Sequence, residues 1–263
     1  MNRNVFEQYR QLIYEVSGIA LNEQKESLLE SRLSKRLRKF NCDHASYLEL
    51  VKHDPAECNE LIDAVSTNVT HFFRDAVHFE VLSQLLKDRT DRKPLRIWCA
   101  ACSTGEEPYS LAITCLEKLG PRARVKILAT DINSTVLAQA QQGIYSADAV
   151  QNLDRNLLTK YFAPGKDRAE GYFRVKDSVR SMIRFGRLNL IHQPYPLPLG
   201  IDIVFCRNVM IYFDAPTRRE VMKAMHRVLA PHGHLFTALS ESLQAYAEFF
   251  ETISPSVGRK VDR

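Results

Sequence analysis

Two adjacent carboxylates follow a lone glycine in the run Cys102-Ser103-Thr104-Gly105-Glu106-Glu107-Pro108. A glycine turn between an apolar segment and a helix is where open α/β sheets hold nucleotide-type ligands. Dinucleotide sites use several glycines there, so that backbone amides and a helix N-terminus approach a pyrophosphate. One glycine and two acids oppose phosphate. They suit a ligand whose end is a cationic amino group, although the same pair could simply complement the dipole of the helix it opens. A third carboxylate, Asp131, closes the apolar stretch at 125–130. At that position an acid accepts hydrogen bonds from both ribose hydroxyls of a nucleoside, whereas a lone Asp ending a strand otherwise serves a turn or a helix cap.

These residues need a frame to bring them together. After Pro94, residues 95–100 read as a buried strand, 108–118 as a helix, 125–130 as a strand and 136–142 as a helix. Later come a strand at 201–206, a helix at 218–229 and a strand at 234–237. Strands alternating with helices at these lengths predict βαβ units around a largely parallel sheet. Residues 1–75 differ, reading as helices only. Phe6, Tyr9, Leu12, Ile13 and Val16 keep helical spacing up to Gly18, and further helices follow at 23–39, 45–52 and 55–65. Residues 76–93 read as a linker helix and 94–263 as the α/β domain. Within it, Pro164-Gly165 and Gly171 punctuate short β-rich pieces at 172–175 and 182–185, which predicts a small antiparallel insertion at about 164–187.

Composition narrows the class. Apolar residues make up 45% and charged residues 25%, the balance of a water-soluble fold. No apolar run approaches the roughly 18–20 residues that a membrane span needs, and the first residues lack the apolar core of a secretion signal. A cytoplasmic location is expected. The six cysteines fit it: Cys99 and Cys102 form one C-x-x-C, with neither a second pair nor a histidine cluster to complete a zinc site, so buried free thiols and no metal are expected. Charge is placed unevenly within a net +5. Arg32, Lys35, Arg36 and Lys39 fall at i, i+3, i+4 and i+7 of a helix and share one face, either solvated or facing an acidic partner.

Several blocks together resemble a known family. Ser66-Thr67-Asn68-Val69-Thr70-His71-Phe72-Phe73-Arg74 is similar to the S-x-N-x-T-x-F-F-R signature of the chemotaxis receptor glutamate methyltransferases, the CheR type. That family's further blocks follow in order: Ser103 to Ser110, Ala129-Thr130-Asp131-Ile132, Asn189-Leu190, Phe205 to Phe213, and Ser240-Glu241-Ser242-Leu243. One block could arise by chance; the ordered set spans residues 66–243 and is specific.

The resemblance implies a class I Rossmann-like methyltransferase fold with a helical N-terminal domain and a small antiparallel β insertion. It implies S-adenosyl-L-methionine as cofactor and chemoreceptor glutamates as acceptors. By the same resemblance Asn68, Thr70 and Arg74 reach over the cofactor, and Arg74 and Tyr212 orient the incoming carboxylate. Glu107, rather than Glu106, holds the methionine amino group and Asp131 the ribose. Asn189 and Leu190 border the adenine, while Arg207 and Asn208 line the methionine side. The cationic face Arg32, Lys35, Arg36 and Lys39 is then expected to dock the glutamate-rich receptor. The insertion corresponds to a subdomain that binds a receptor peptide in some members, but residues 166–170 lack the further glycines of that pattern. Gly258 likewise stands where many members carry an aromatic residue.

A monomer that binds no nucleic acid and does not insert into membranes is expected. Two other readings share the fold: an RNA methyltransferase using the basic helix, or a non-catalytic signalling module that senses the cofactor. Asn208-Val209-Met210-Ile211-Tyr212 lacks the prolines of the Asn-Pro-Pro-Tyr motif of amino-group methylases, which weighs against the first. Retention of both Arg74 and Tyr212 weighs against the second.

Overall fold

The computed structural model describes residues 1–87 and 93–262. Four helices come first: α1 (Arg3–Ser17), α2 (Glu26–Phe40), α3 (His44–His53) and α4 (Pro55–Val65). Their starts are written in the sequence. Asn2, Asp43 and Asp54 accept hydrogen bonds from the first free amides of α1, α3 and α4, and Pro55 opens α4 where no amide is needed. Gly18 ends α1 with φ 75°. A side chain there would strike Ile191 Cγ2 at 2.6 Å, so the turn needs glycine for conformation and for close approach. Phe6, Tyr9, Ile13, Leu33, Tyr47 and Leu61 bury one face of each helix in a core of their own.

The remaining elements are α5 (Ala76–Lys87), β1 (Leu95–Ala100), α6 (Glu106–Leu119), β2 (Val125–Asp131), α7 (Ser134–Gln142) and β3 (Ile144–Ser146). Then come α8 (Ala147–Val150), α9 (Arg155–Tyr161), β4 (Phe162–Pro164), β5 (Tyr172–Val175), α10 (Asp177–Arg180), β6 (Ile183–Arg187) and β7 (Ile201–Cys206). The chain finishes with α11 (Ala215–Val228), β8 (Leu229–Phe236), β9 (Phe250–Ser254) and β10 (Val257–Lys260). Among the described residues seven strands form one sheet in the order β6-β2-β1-β7-β8-β10-β9. The first five run parallel, and β10 and β9 close the edge antiparallel. The pleat divides the core: Leu95, Ile97 and Cys99 of β1 face α5 and α6, whereas Trp98 and Ala100 face the α11 side. Among the described residues no helix is long and apolar enough to cross a membrane.

Two sequence expectations change, and one hairpin was not expected. The helix at 76–93 runs over Ala76–Lys87, with residues 88–92 outside the described part, and it is more than a linker. Phe79, Leu82 and Leu86 bury into the α/β core, so α5 is a layer of that domain. The β insertion is not bounded by 164–187. Its small sheet has the order β3-β5-β4 and begins at Ile144, while the piece around 182–185 belongs to β6, a parallel edge strand of the main sheet. Burial of Ile183 against β2 decides that allegiance, because a short apolar run reads alike in either sheet. The hairpin β9–β10 had no expected counterpart; three of the five β9 residues are exposed, which erases the alternation that marks a half-buried strand.

Candidate active site

Strand order locates the site before any side chain does. From β1 the chain winds to β2 and β6 on one side, then returns to β7 and β8 on the other, so the order reverses between β1 and β7. Ligands of open parallel sheets bind outside the carboxyl ends of the strands at such a reversal. Ala100 of β1 stands opposite both Thr130 and Cys206. The residues that follow, Ala101, Asp131 and Arg207, therefore emerge side by side.

The turn after β1 is held in a fixed shape. Ala101, Ser103 and Gly105 have φ of 60°, 49° and 99°. A Cβ on Gly105 would meet Tyr145 Oη at 2.8 Å and the Ala140 Cβ at 2.9 Å. The glycine thus serves packing against α7 and β3, not the approach of a pyrophosphate. Asp131 accepts from the Ser103 amide at 2.8 Å through Oδ2 and from the Asn133 amide at 2.9 Å through Oδ1. Its burial pushes the carboxyl above its ordinary pKa.

The two glutamates have separate fates. Glu106 turns away, accepting from the Thr104 hydroxyl at 2.6 Å, and lies outside the cavity wall. Glu107 faces the cavity; its Oε1 accepts from the Cys99 thiol at 3.1 Å and its Oε2 from Arg207 Nη1 at 2.8 Å. Burial raises the Glu107 pKa, an effect that Arg207 opposes. Arg207 is itself buried and donates Nη2 to Asp75 Oδ2 and to the Arg74 carbonyl, both at 2.6 Å. One guanidinium therefore ties β7, α6 and the segment before α5 together, a use that neither Asp75 nor Cys99 disclosed in the sequence. All six cysteines are free, and burial holds the thiols of Cys99 and Cys102 well above their ordinary pKa.

The segment 66–75 crosses the mouth of the cavity. Ser103 Oγ donates to the Asn68 carbonyl at 3.0 Å, Arg74 Nη1 to the Val69 carbonyl at 2.8 Å, and Ser110 Oγ accepts from the Phe73 amide at 2.9 Å. On the other side Asn208 adopts φ 58°, and Tyr212 ends a short 3₁₀ turn whose carbonyl accepts from the Ala20 amide at 2.8 Å. Asn189 spends its amide on the helical domain, donating to the Val16 carbonyl at 2.6 Å, beside buried Leu190. Asn68, Thr70, Arg74, Glu107, Asp131, Asn189, Leu190, Arg207, Asn208 and Tyr212 all line one cavity of about 350 Å³. That is a volume suited to a small organic ligand.

Part of its wall was not legible. The connection between α1 and α2 contributes Ile19, Ala20, Leu21, Asn22 and Lys25, none of which carries a recognisable motif. The cationic face of α2 also needs correction. Arg32 turns inward, donating to the carbonyls of Ala64 and Ser66 at 3.1 and 2.5 Å, and Arg36 forms ion pairs with Glu57 and Glu60. Lys35 and Lys39 are exposed, joined by Arg38 from a neighbouring position. Helical spacing placed the four on one side but could not see that α4 covers half of it.

A doubly wound sheet with an acid at the end of its second strand and a carboxylate-lined first turn is an arrangement that fits the Rossmann-like methyltransferases that use S-adenosylmethionine. The chain belongs to the CheR methyltransferase family: residues 4–66 match its all-alpha domain and residues 68–258 its SAM binding domain. It is 38% identical to chemotaxis protein methyltransferase 2 of Pseudomonas aeruginosa, over 97% of this chain and 92% of that one. It is 39% identical to the chemotaxis protein methyltransferase of Escherichia coli K12, covering 90% and 84% of the two chains. The Borreliella burgdorferi chemotaxis protein methyltransferase is 36% identical, over 95% and 91%. The protein is an S-adenosylmethionine-dependent methyltransferase of α/β fold.

Proposed function

We propose that the protein methylates glutamate side chains on the cytoplasmic region of chemoreceptors, forming glutamyl methyl esters during sensory adaptation. The observation that carries this reading is the placement of Arg74 and Tyr212 on the same cavity wall as Asp131 and Glu107. The donor set fits the cofactor. Asp131 would accept from its ribose hydroxyls, Glu107 would accept from its amino group beside Arg207 and Asn208, and Asn189 and Leu190 would flank its base. Asn68 and Thr70 would cover it from the crossing segment. Bound S-adenosylmethionine supplies a methyl group on a positively charged sulfur.

The remaining work falls to the chain. A glutamate has a pKa near ~4.3 and is already ionised at neutral pH, so the acceptor needs no general base. Arg74 offers charged donors to that carboxylate and the Tyr212 phenol offers one more. Together they fix the acceptor oxygen in line with the methyl group and exclude water, which would otherwise solvate the nucleophile. Lys35 and Lys39, with Arg38, supply the exposed cations that would attract a glutamate-rich partner. We read the protein as a cytoplasmic monomer that acts without metal or nucleic acid.

Incubation with methyl-labelled cofactor, a receptor cytoplasmic fragment and RNA in parallel tests this reading. Label on the receptor fragment that is released by mild base, the signature of a methyl ester, supports it. Label on RNA alone, or none on the fragment, refutes it.

A further inference from the structure

Two apolar side chains on the wall of the cavity face water. Val69 is 76% exposed and Ile211 is 53% exposed, although both line the site. Neither is loose. The Val69 backbone is clasped on both sides: Asn68 O accepts from Ser103 Oγ, and Val69 O accepts from Arg74 Nη1. Ile211 lies in the Met210–Tyr212 turn, between Met210, which is buried, and a Tyr212 carbonyl bonded to Ala20. The half-buried Glu241 carboxylate lies beside the backbone of Met210 and Ile211 and accepts from the Ala238 amide at 2.8 Å. Leu28 of α2, 40% exposed, joins them on the cavity wall, next to the exposed Lys25. Exposed apolar side chains on a backbone held by hydrogen bonds, at the wall of a cavity, suit the apolar surface of a partner.

We infer that Val69 and Ile211, with Leu28 and Lys25, form a rim that selects the acceptor glutamate by its surroundings. The partner is an acidic helix carrying an apolar residue one turn from the glutamate on the same face. This inference rests on the reading of the site as one that methylates a receptor glutamate. The acceptor side chain is short and must reach Arg74 and Tyr212 inside the cavity, which presses its backbone against the mouth. On a helix, the residues three and four positions away are then the ones that meet the rim. Val69 and Ile211 lie beside Arg74 and Tyr212 in the chain, so the groups that orient the carboxylate and the groups that read its neighbours sit on the same two segments. Charge agrees with the choice: Lys25 on the rim and Lys35, Arg38 and Lys39 along α2 favour an acidic partner.

The test uses the full-length protein with Val69→Ser and Ile211→Ser, singly and together, and with Val69→Ile as a conservative control. KM and kcat are measured on a receptor cytoplasmic fragment, and the affinity for S-adenosylhomocysteine is measured separately by calorimetry. The double variant should raise KM for the fragment roughly 10-fold or more, as expected when two apolar side chains are withdrawn from an interface. Its kcat at saturating fragment and its affinity for S-adenosylhomocysteine should stay within about twofold, and Val69→Ile should retain wild-type KM. Unchanged KM in an active double variant would overturn the rim while leaving the proposed function intact. Equal weakening of S-adenosylhomocysteine binding would assign the two side chains to the cofactor instead and also overturn it. A wild-type protein that transfers no methyl to the fragment would remove both readings together.

Discussion

Glu107 and Glu106 are neighbours with opposite assignments, and only the direction of each side chain separates them. Glu107 faces the cavity between Cys99 and Arg207, whereas Glu106 folds back on Thr104. Glu107→Gln should weaken S-adenosylhomocysteine binding by roughly 10- to 100-fold, the range for losing a hydrogen bond to a charged group. Binding of 5′-methylthioadenosine, which lacks the amino-acid end, should change little; calorimetry with both ligands checks the difference. Equal losses for the two ligands would show that the substitution disturbs the pocket instead. Tyr212→Phe removes one oxygen and no packing. It should lower kcat by about 10-fold or more, through loss of one donor to the acceptor carboxylate, while S-adenosylhomocysteine affinity holds.

At the scale of elements, the helical domain is fastened to the α/β domain through the cap of a helix it does not own. Asp63 of α4 accepts from the amides of Ser134 and Thr135, each at 3.1 Å, and from their hydroxyls at 2.7 and 3.0 Å. It meets the positive N-terminal end of α7, immediately after the strand that ends in Asp131. Asp63→Ala should lower stability by about 1–2 kcal/mol, visible as a drop of a few degrees in Tm. Helix α2 supplies a companion comparison. Arg36→Ala breaks a buried pair with Glu57 and should unfold at distinctly lower urea, whereas Lys39→Ala, at an exposed position, should leave the midpoint in place. A basic face tested by reversing Arg36 would therefore report folding before it reported docking.

Two properties belong to the molecule as a whole. His78 is a buried residue of α5, shares a hydrogen bond with Ser256 Oγ at 2.7 Å, and lies near Arg207 and Asp75. Burial, with Arg207 adding to it, pushes its pKa down to about 4 from the ordinary 6.5, against the pull of Asp75. The unfolded chain therefore takes up the proton first. The stabilisation is fully present above about pH 6.5 and is lost as the pH falls towards 4, on the order of 3 kcal/mol in all. Urea unfolding at pH 7.5 and pH 5 should show a larger loss for the wild type than for His78→Gln; identical losses would dismiss the assignment. The second property is coupling through the cavity, whose wall comes from both domains. Saturating S-adenosylhomocysteine at about 100 times its Kd should stabilise the fold by ~2.7 kcal/mol. Hydrogen exchange should then slow in the α1–α2 connection as well as around Asp131.

The sequence by itself determined the alternation of strands and helices, the turn at Gly105, the acid at Asp131 and the ordered blocks from Ser66 to Leu243. Each of these is local: a period, a cap or a short string of residue types whose chemistry does not depend on distant neighbours. Tertiary structure decided what local patterns leave open. Strand β6 joined the main sheet because Ile183 found β2 to bury against, and Arg36 left the basic face because α4 brought Glu57 within reach. Ala20 and Lys25 entered the cavity wall because Gly18 let α1 end against Ile191 and Phe213. Even Glu107 acquired its place only when β7 delivered Arg207 a hundred residues later. A side chain's type is a property of the chain, but its partner is a property of the fold, since burial and charge pairing are settled only when the elements meet.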